Sequence, residues 1–249
     1  MADGPARLAE LIREAAGSVV VLTGAGISVP SGIPDFRTPG TGLWANVDPM
    51  AVAHVDVFRR DPVRFWQFYG DRFASLRDKR PNGAHAAVAS LQQRGWLSGV
   101  ITQNIDGLHC AAGIEDVIEV HGSIVSSVCL IDRSSFSLDD VRSRVAADDQ
   151  GVPRCDCGAP LKPGVVLFGE LLPEEALRRA SALAAEADLM LCIGSSLEVS
   201  PISQLPEITL AAGGSVALVT IGPTPYDLEA EVKLEGDVVD ELTAVLAAL

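Results

Sequence analysis

Cysteine is scarce in this chain, with five in 249 residues, at positions 110, 129, 155, 157 and 192. So small and odd a number makes a poor disulfide scaffold and points to a reducing, cytoplasmic setting. Long apolar runs are missing as well. LMLCIG (189–194) and VALVTIG (216–222) fall far short of the roughly 20 residues that cross a bilayer. The opening MADGPARLAELIREAAG lacks the apolar segment of a secretion signal. Positive charge is in deficit, with 19 Lys+Arg against 33 Asp+Glu and a formal net charge of −14. That balance argues against a nucleic-acid surface, because phosphate contacts need clustered cations. A basic protein or peptide, in contrast, is a partner that an acidic surface helps to capture. Neither a membrane nor a nucleic acid is therefore expected as partner, and a monomer is favoured.

What is present is a well-furnished core. Hydrophobic residues make up 48% of the chain, and the composition is neither disordered nor collagen-like. The length fits one large domain, or one core carrying a smaller insert. SVVVLTG (18–24) is a continuous apolar run, the form taken by a strand covered on both faces. Similar runs occur at 99–102, 165–168, 189–194 and 216–221, and Ala/Leu-rich helical stretches lie between them at 83–93 and 174–187. The stretch 237–249 reads as a closing amphipathic helix. This alternation predicts an α/β fold, a parallel sheet with flanking helices.

Two regions break the rhythm. Residues 37–81 hold most of the aromatics, including Trp44, Phe58, Phe65, Trp66, Phe68, Tyr69 and Phe73. Within them Asp61-Pro62 reads as the N-cap and first-turn pair of a helix running to Leu76. Residues 122–163 hold three of the five cysteines around a polar middle. Both read as excursions from the α/β core, packed together as a small second domain.

TGAGIS (23–28) directly follows the first strand. Gly24 and Gly26 permit a tight turn and close backbone approach, and a helix start beyond them would aim free N–H groups at a phosphate. The third glycine of the usual dinucleotide fingerprint is missing, and so is the G-K-[ST] ending of a phosphate-binding P-loop. The signal gains force from its neighbours: VPSGIPDFR (29–37), TQNIDGLHC (102–110) and EVHG (119–122). Ligands of open α/β sheets sit beyond the carboxyl ends of strands. Asn104, Asp106 and His121 each follow a predicted strand, so they converge there with the glycine loop.

GAGIS, GIPDFR, TQNIDGLH, HG, FGE (168–170) and GSS (194–196), in this order, resemble the signatures of the sirtuin family. The likeness runs from about Gly24 to Asp237. It implies an NAD-dependent protein-lysine deacylase built from a Rossmann-like domain (1–36, 82–121 and 164–249) and a small domain (a helical module, 37–81, and a zinc-type module, 122–163). It also implies that Gly24, Ala25, Gly26 and Ser28 hold the cofactor's phosphates and ribose. Asp35, Phe36 and Arg37 would belong to a mobile cofactor loop, and Gln103, Asn104 and Asp106 would position the nicotinamide and its ribose. Gly194, Ser195 and Ser196 would cradle the far half of the dinucleotide. His121 would be the general base that takes a proton from a ribose hydroxyl, giving free lysine, nicotinamide and O-acyl-ADP-ribose. The acyl-lysine peptide would add as a strand beside Val165, Val166, Leu167, Phe168 and Gly169 on one side and Glu198, Val199 and Ser200 on the other.

Two finer expectations follow. Tyr69 and Arg72 stand three apart on one helix face, with Ala53 sixteen residues before Tyr69. This resembles the class III sirtuins, which remove succinyl, malonyl and glutaryl groups. An arginine fork binds such a carboxylate bidentately, so a preference for acidic acyl groups is expected. A deacetylase without it, an ADP-ribosyltransferase and an idle NAD-sensing module are the alternatives. A family zinc site would read C-x-x-C twice, whereas this chain offers C-L-I-D (129–132) and C-D-C (155–157). Cys129, Asp132, Cys155 and Cys157 still make four ligands for structural zinc. Gly222 stands where the family usually places an asparagine near the adenosine ribose. His54 and His85 read as cap or packing residues, and Cys110 and Cys192 as small buried ones.

Overall fold

The computed structural model describes residues 4–35, 47–76 and 78–249, with the backbone alone over 71–74. Phe36, Arg37 and Trp44, and the side chains of Arg72 and Phe73, therefore lie outside the described residues. The first helix, α1 (Gly4–Glu14), leads into β1 (Val19–Thr23), whose residues are all buried. A short 3₁₀ turn, Ala25–Ser31, follows at once. Three helices come next, α2 (Pro49–Val52), α3 (Val55–Arg60) and α4 (Pro62–Leu76). Then α5 (Gly83–Gln93), β2 (Leu97–Thr102), α6 (Leu108–Ala111) and β3 (Val117–Glu119) return to the main sheet. A separate unit contains β4 (Gly122–Cys129), β5 (Ser135–Ser137), α7 (Leu138–Ala147) and β6 (Leu161–Val165). The chain closes through α8 (Glu174–Glu186), β7 (Leu189–Ile193), α9 (Leu205–Ala211), β8 (Ser215–Val219), β9 (Val232–Leu234) and α10 (Val238–Ala248).

The main sheet runs β3-β2-β1-β7-β8-β9, parallel throughout. Strand β1 shows why its sequence is apolar at every position. Val19 and Val21 face a core shared with α1, α5 and α10. Val20 and Leu22 face the opposite core, built with α8 and α9. Because side chains alternate in a strand, a sheet covered on both sides needs apolar residues at both parities. Each fully buried Val or Leu then contributes about 1.5–3 kcal/mol. This is the expected α/β architecture.

The second sheet, β5-β4-β6, is antiparallel. Its core draws Ile124, Cys129, Val141 and Leu161 together with Val55, Phe58, Phe65 and Trp66, so the aromatic and cysteine-bearing excursions share one hydrophobic centre. Phe65 stacks on Tyr69 at 4.6 Å and meets Phe58 edge-on at 5.2 Å, while the Trp66 indole N–H donates to Leu161 O at 3.1 Å.

One expected strand is corrected. The run 165–168 does not join the parallel sheet: β6 ends at Val165 in the antiparallel sheet, and Phe168 makes an isolated bridge to His54. Val165 and Leu167 are apolar because they face the small core. No helix among the described residues is long and apolar enough to cross a membrane.

Candidate active site

The chain order reverses between β1 and β7, which makes the carboxyl ends of these strands a topological switch point, the usual ligand position in such sheets. Two glycine turns meet there. Gly24 N donates to Ile193 O at 3.0 Å and Gly26 N to Gly194 O at 2.8 Å. The fit leaves no room for a side chain. A Cβ on Gly26 would lie 2.7 Å from Gly194 Cα, and one on Gly194, whose φ is +62°, would lie 2.3 Å from Ile27 N. Glycine is therefore required at 26 by close approach and at 194 also by a left-handed backbone.

The segment after β2 is tied to both turns. Gln103 N donates to Thr23 O at 3.0 Å, and its side-chain amide donates to Ser195 Oγ at 2.8 Å. The buried Asn104 amide donates to Gly24 O at 3.1 Å and Ser28 Oγ at 3.2 Å. Ser28 in turn donates to Asp106 Oδ2 at 2.7 Å, and Asp106 Oδ1 accepts from Leu108 N at 2.9 Å. Of the residues assigned to the cofactor, Gly24, Gly26, Ser28, Gln103, Asn104, Asp106, Gly194 and Ser195 are thus joined in one network. Ala25 opens the 3₁₀ turn inside it. Asp35 and Ser196 are described as well, and each has an interaction partner.

His121 precedes β4. Its Nδ1 lies 2.9 Å from Gln103 O. A carbonyl only accepts, so Nδ1 carries the proton and Nε2 keeps its lone pair for a substrate. Burial pushes the imidazole below its ordinary range, against the opposing effect of that hydrogen bond. The base is therefore neutral at pH 7.

Beneath the site lies a polar cluster that the sequence reading passed over. Thr23 Oγ1 donates to Thr102 Oγ1 at 2.8 Å and lies 2.8 Å from His109 Nε2. Since the threonine proton is committed, His109 Nε2 is the donor there, and its buried Nδ1 has no partner. His85 packs 5.0 Å away, ring centre to ring centre. As expected, His85 helps to cap α5 and His54 caps α3 by accepting from Asp56 N at 3.0 Å. Cys192 is buried, whereas Cys110 is exposed, contrary to expectation. It sits on the outer side of the short α6, whose Leu108 and His109 face inward.

Around the rim, Ala53 is buried at the end of α2, and Phe168 bridges to the helical module: Phe168 N donates to Ala53 O at 3.1 Å and Val55 N to Phe168 O at 2.9 Å. Glu198, Val199 and Ser200 are exposed. Gly222 has φ +85°, a conformation that favours glycine, and its carbonyl accepts from Lys233 Nζ at 2.8 Å.

The four candidate metal ligands do converge. Ligand atoms of Cys129, Asp132, Cys155 and Cys157 all lie within 4.8 Å of one another, with Cys129 and Cys157 Sγ atoms 3.6 Å apart and Cys155 Sγ 3.1 Å from Asp132 Oδ2. Tetrahedral zinc with bonds near 2.3 Å to sulfur needs sulfurs roughly 3.8 Å apart. The set fits. Bonds from Ser134 N–H and the Cys155 thiol hold the Asp132 carboxyl far below the usual carboxylate range, so it is an anionic donor.

The model of the Sir2 family matches residues 24–201. The chain belongs to the Sir2 family. An NAD-dependent protein deacetylase of Sulfolobus acidocaldarius is 45% identical over 221 residues, which is 89% of this chain and 85% of that protein. One of Thermotoga maritima is 42% identical over 222 residues, 89% of each. Among solved structures, a Sir2 with p53 peptide and NAD+ matches with TM-score 0.89 at 39% identity, covering 97% of this chain and 96% of the other. A Sir2 bound to acetylated peptide matches with TM-score 0.87 at 38% identity over the same shares. The matched span contains the segments that interlock here: the two glycine turns, Gln103–Asp106 and His121.

Proposed function

We propose that this Sir2-family enzyme is an NAD-dependent protein-lysine deacylase whose foremost substrate is acetyl-lysine in a protein or peptide. The observation that carries the reading is His121, locked by Gln103 O so that a neutral Nε2 is free beside the glycine turns and the Asn104–Ser28–Asp106 network. NAD supplies the ribose carbon that breaks from nicotinamide and the hydroxyls that receive the acyl group. Every other role belongs to the chain. Gly24, Ala25, Gly26 and Ser28, with Gly194, Ser195 and Ser196, admit the dinucleotide backbone, and Asp35, Phe36 and Arg37 are assigned to the cofactor as well. Gln103, Asn104 and Asp106 orient the nicotinamide half, and His121 Nε2 takes the hydroxyl proton. The division into a large NAD-binding domain and a small two-module domain belongs to the same proposal.

The peptide is assigned to the cleft between 165–169 and 198–200. The N–H groups of Val166, Leu167 and Phe168 are already bound to His121 O, Glu170 Oε2 and Ala53 O. Zinc held by Cys129, Asp132, Cys155 and Cys157 would tie β4 to the loop before β6 and stabilise the small unit without touching the reacting atoms.

Relatives 36–45% identical are named NAD-dependent protein deacetylases, and a structural neighbour is bound to a propionylated peptide; both support short neutral acyl groups. A second reading, a preference for succinyl- or malonyl-lysine, rests on Ala53, Tyr69 and Arg72. Tyr69 stacks on Phe65 and packs against the small core, which a purely structural tyrosine would also do. Matched acetyl- and succinyl-lysine peptides decide between them. Faster deacetylation, indifferent to Arg72→Ala, supports the main reading; faster desuccinylation that Arg72→Ala selectively weakens supports the second.

A further inference from the structure

Lys162 is a buried lysine, only 8% exposed, in a strand that faces the small core. Its ammonium has three protons, and all three are placed: to Glu170 Oε2 at 2.9 Å, to Val165 O at 2.8 Å and to Pro163 O at 3.2 Å. Glu170 uses the same Oε2 to accept Leu167 N at 2.9 Å, and Glu170 N donates to Leu167 O at 3.0 Å. A cation and an anion, eight residues apart in sequence, thus clasp the bend 165–170 from its inner side. The outer side of that bend is fastened by Val166 N to His121 O at 2.8 Å and by Phe168 to Ala53 and Val55. The pair therefore fixes the backbone that separates the general base from the helical module.

We infer that Lys162 and Glu170 are positioning residues for the acyl-lysine peptide: they set the path of 165–169, and so peptide affinity, while leaving cofactor binding alone. This inference rests on the assignment of that segment to the peptide. Neither residue touches the glycine turns or the Gln103–Asp106 segment in any bond described here, so NAD affinity should not follow them. A buried pair broken on one side leaves an uncompensated charge, whereas removing both partners together spares the fold that penalty.

The test uses the full-length enzyme with NAD and an acetyl-lysine peptide, in four forms: wild type, Glu170→Gln, Lys162→Arg and the double variant Lys162→Met/Glu170→Leu. We expect the peptide KM to rise about tenfold in the double variant and by less in Glu170→Gln, with kcat and the KM for NAD within about twofold. Lys162→Arg, which keeps the cation, should restore most of the peptide affinity. An unchanged peptide KM in the folded double variant would overturn the inference, as would an equal rise in the KM for NAD. Amide hydrogen exchange at Leu167 gives an independent readout, expected to be faster in the double variant. If the wild type releases no nicotinamide with any acyl-lysine peptide, the functional reading fails. Leu167 exchange then still reports on the clasp, and unaltered exchange would reject it.

Discussion

His109 offers a direct physical test of how the site is built. Its ring is 2% exposed, its Nε2 donates to Thr23, its Nδ1 has no partner, and His85 lies alongside. Burial first, and the His85 charge second, push it down to about 3 from the ordinary 6.5. In the unfolded chain the same residue takes up its proton near pH 6.5. Below that pH the unfolded state binds the extra proton and the folded state does not, so the stability contribution is full above 6.5 and drains away as pH falls toward 3. At about 1.4 kcal/mol per unit, the loss between pH 7 and pH 5 is about 2 kcal/mol. His85 is shifted in the same direction by its own burial and steepens the slope. Denaturant unfolding of wild type and His109→Gln at both pH values isolates the effect, because Gln keeps an N–H for Thr23 but cannot titrate. The wild type should lose about 2 kcal/mol more than the variant over that interval. Equal losses would refute the argument that the cluster is held neutral by burial.

Three further outcomes are expected. The acid limb of kcat/KM should fall below the ordinary histidine range, because His121 works as a neutral base and burial lowers its protonation pH; a pH–rate profile with its limb above pH 6.5 would contradict this. Gly194→Ala, at φ +62° with its Cβ pressed on Ile27 N, should cost about 1–3 kcal/mol of stability and raise the KM for NAD, read by thermal unfolding and steady-state kinetics. Purified protein should carry one zinc per chain by elemental analysis, Cys157→Ser should lower that content, and a chelator should loosen the small unit in hydrogen exchange while the parallel sheet stays protected.

Much of this was readable in the residues, for reasons that differ from place to place. Strand β1 announced itself because a two-faced core demands apolar side chains at both parities, and the glycine turns because close backbone contact permits nothing larger. Asp132 could be grouped with the three cysteines, which it does meet in the fold, because C-L-I-D sets a carboxylate where a thiol is expected. The three-residue strand β9 was missed, and β3 was expected only as the strand before His121: a period of two leaves no signature in so few positions. The run 165–168 misled, since an apolar run looks alike whether it faces a parallel sheet or the small core. The Thr23–Thr102–His109 cluster and the Lys162–Glu170 clasp were silent for another reason. Their meaning lies in pairings across the fold, and a buried lysine or histidine looks polar in a linear chain.

The account turns on whether His121 and the glycine turns together perform acyl transfer that consumes NAD. The decisive measurement is the stoichiometry of nicotinamide released to acetyl-lysine peptide deacylated, followed by mass spectrometry for wild type and His121→Ala. The account predicts one nicotinamide per deacylated peptide, with O-acetyl-ADP-ribose as the acyl acceptor product and deacylation lost in the variant. Nicotinamide release that leaves the peptide acylated, or attaches ADP-ribose to protein, would contradict it.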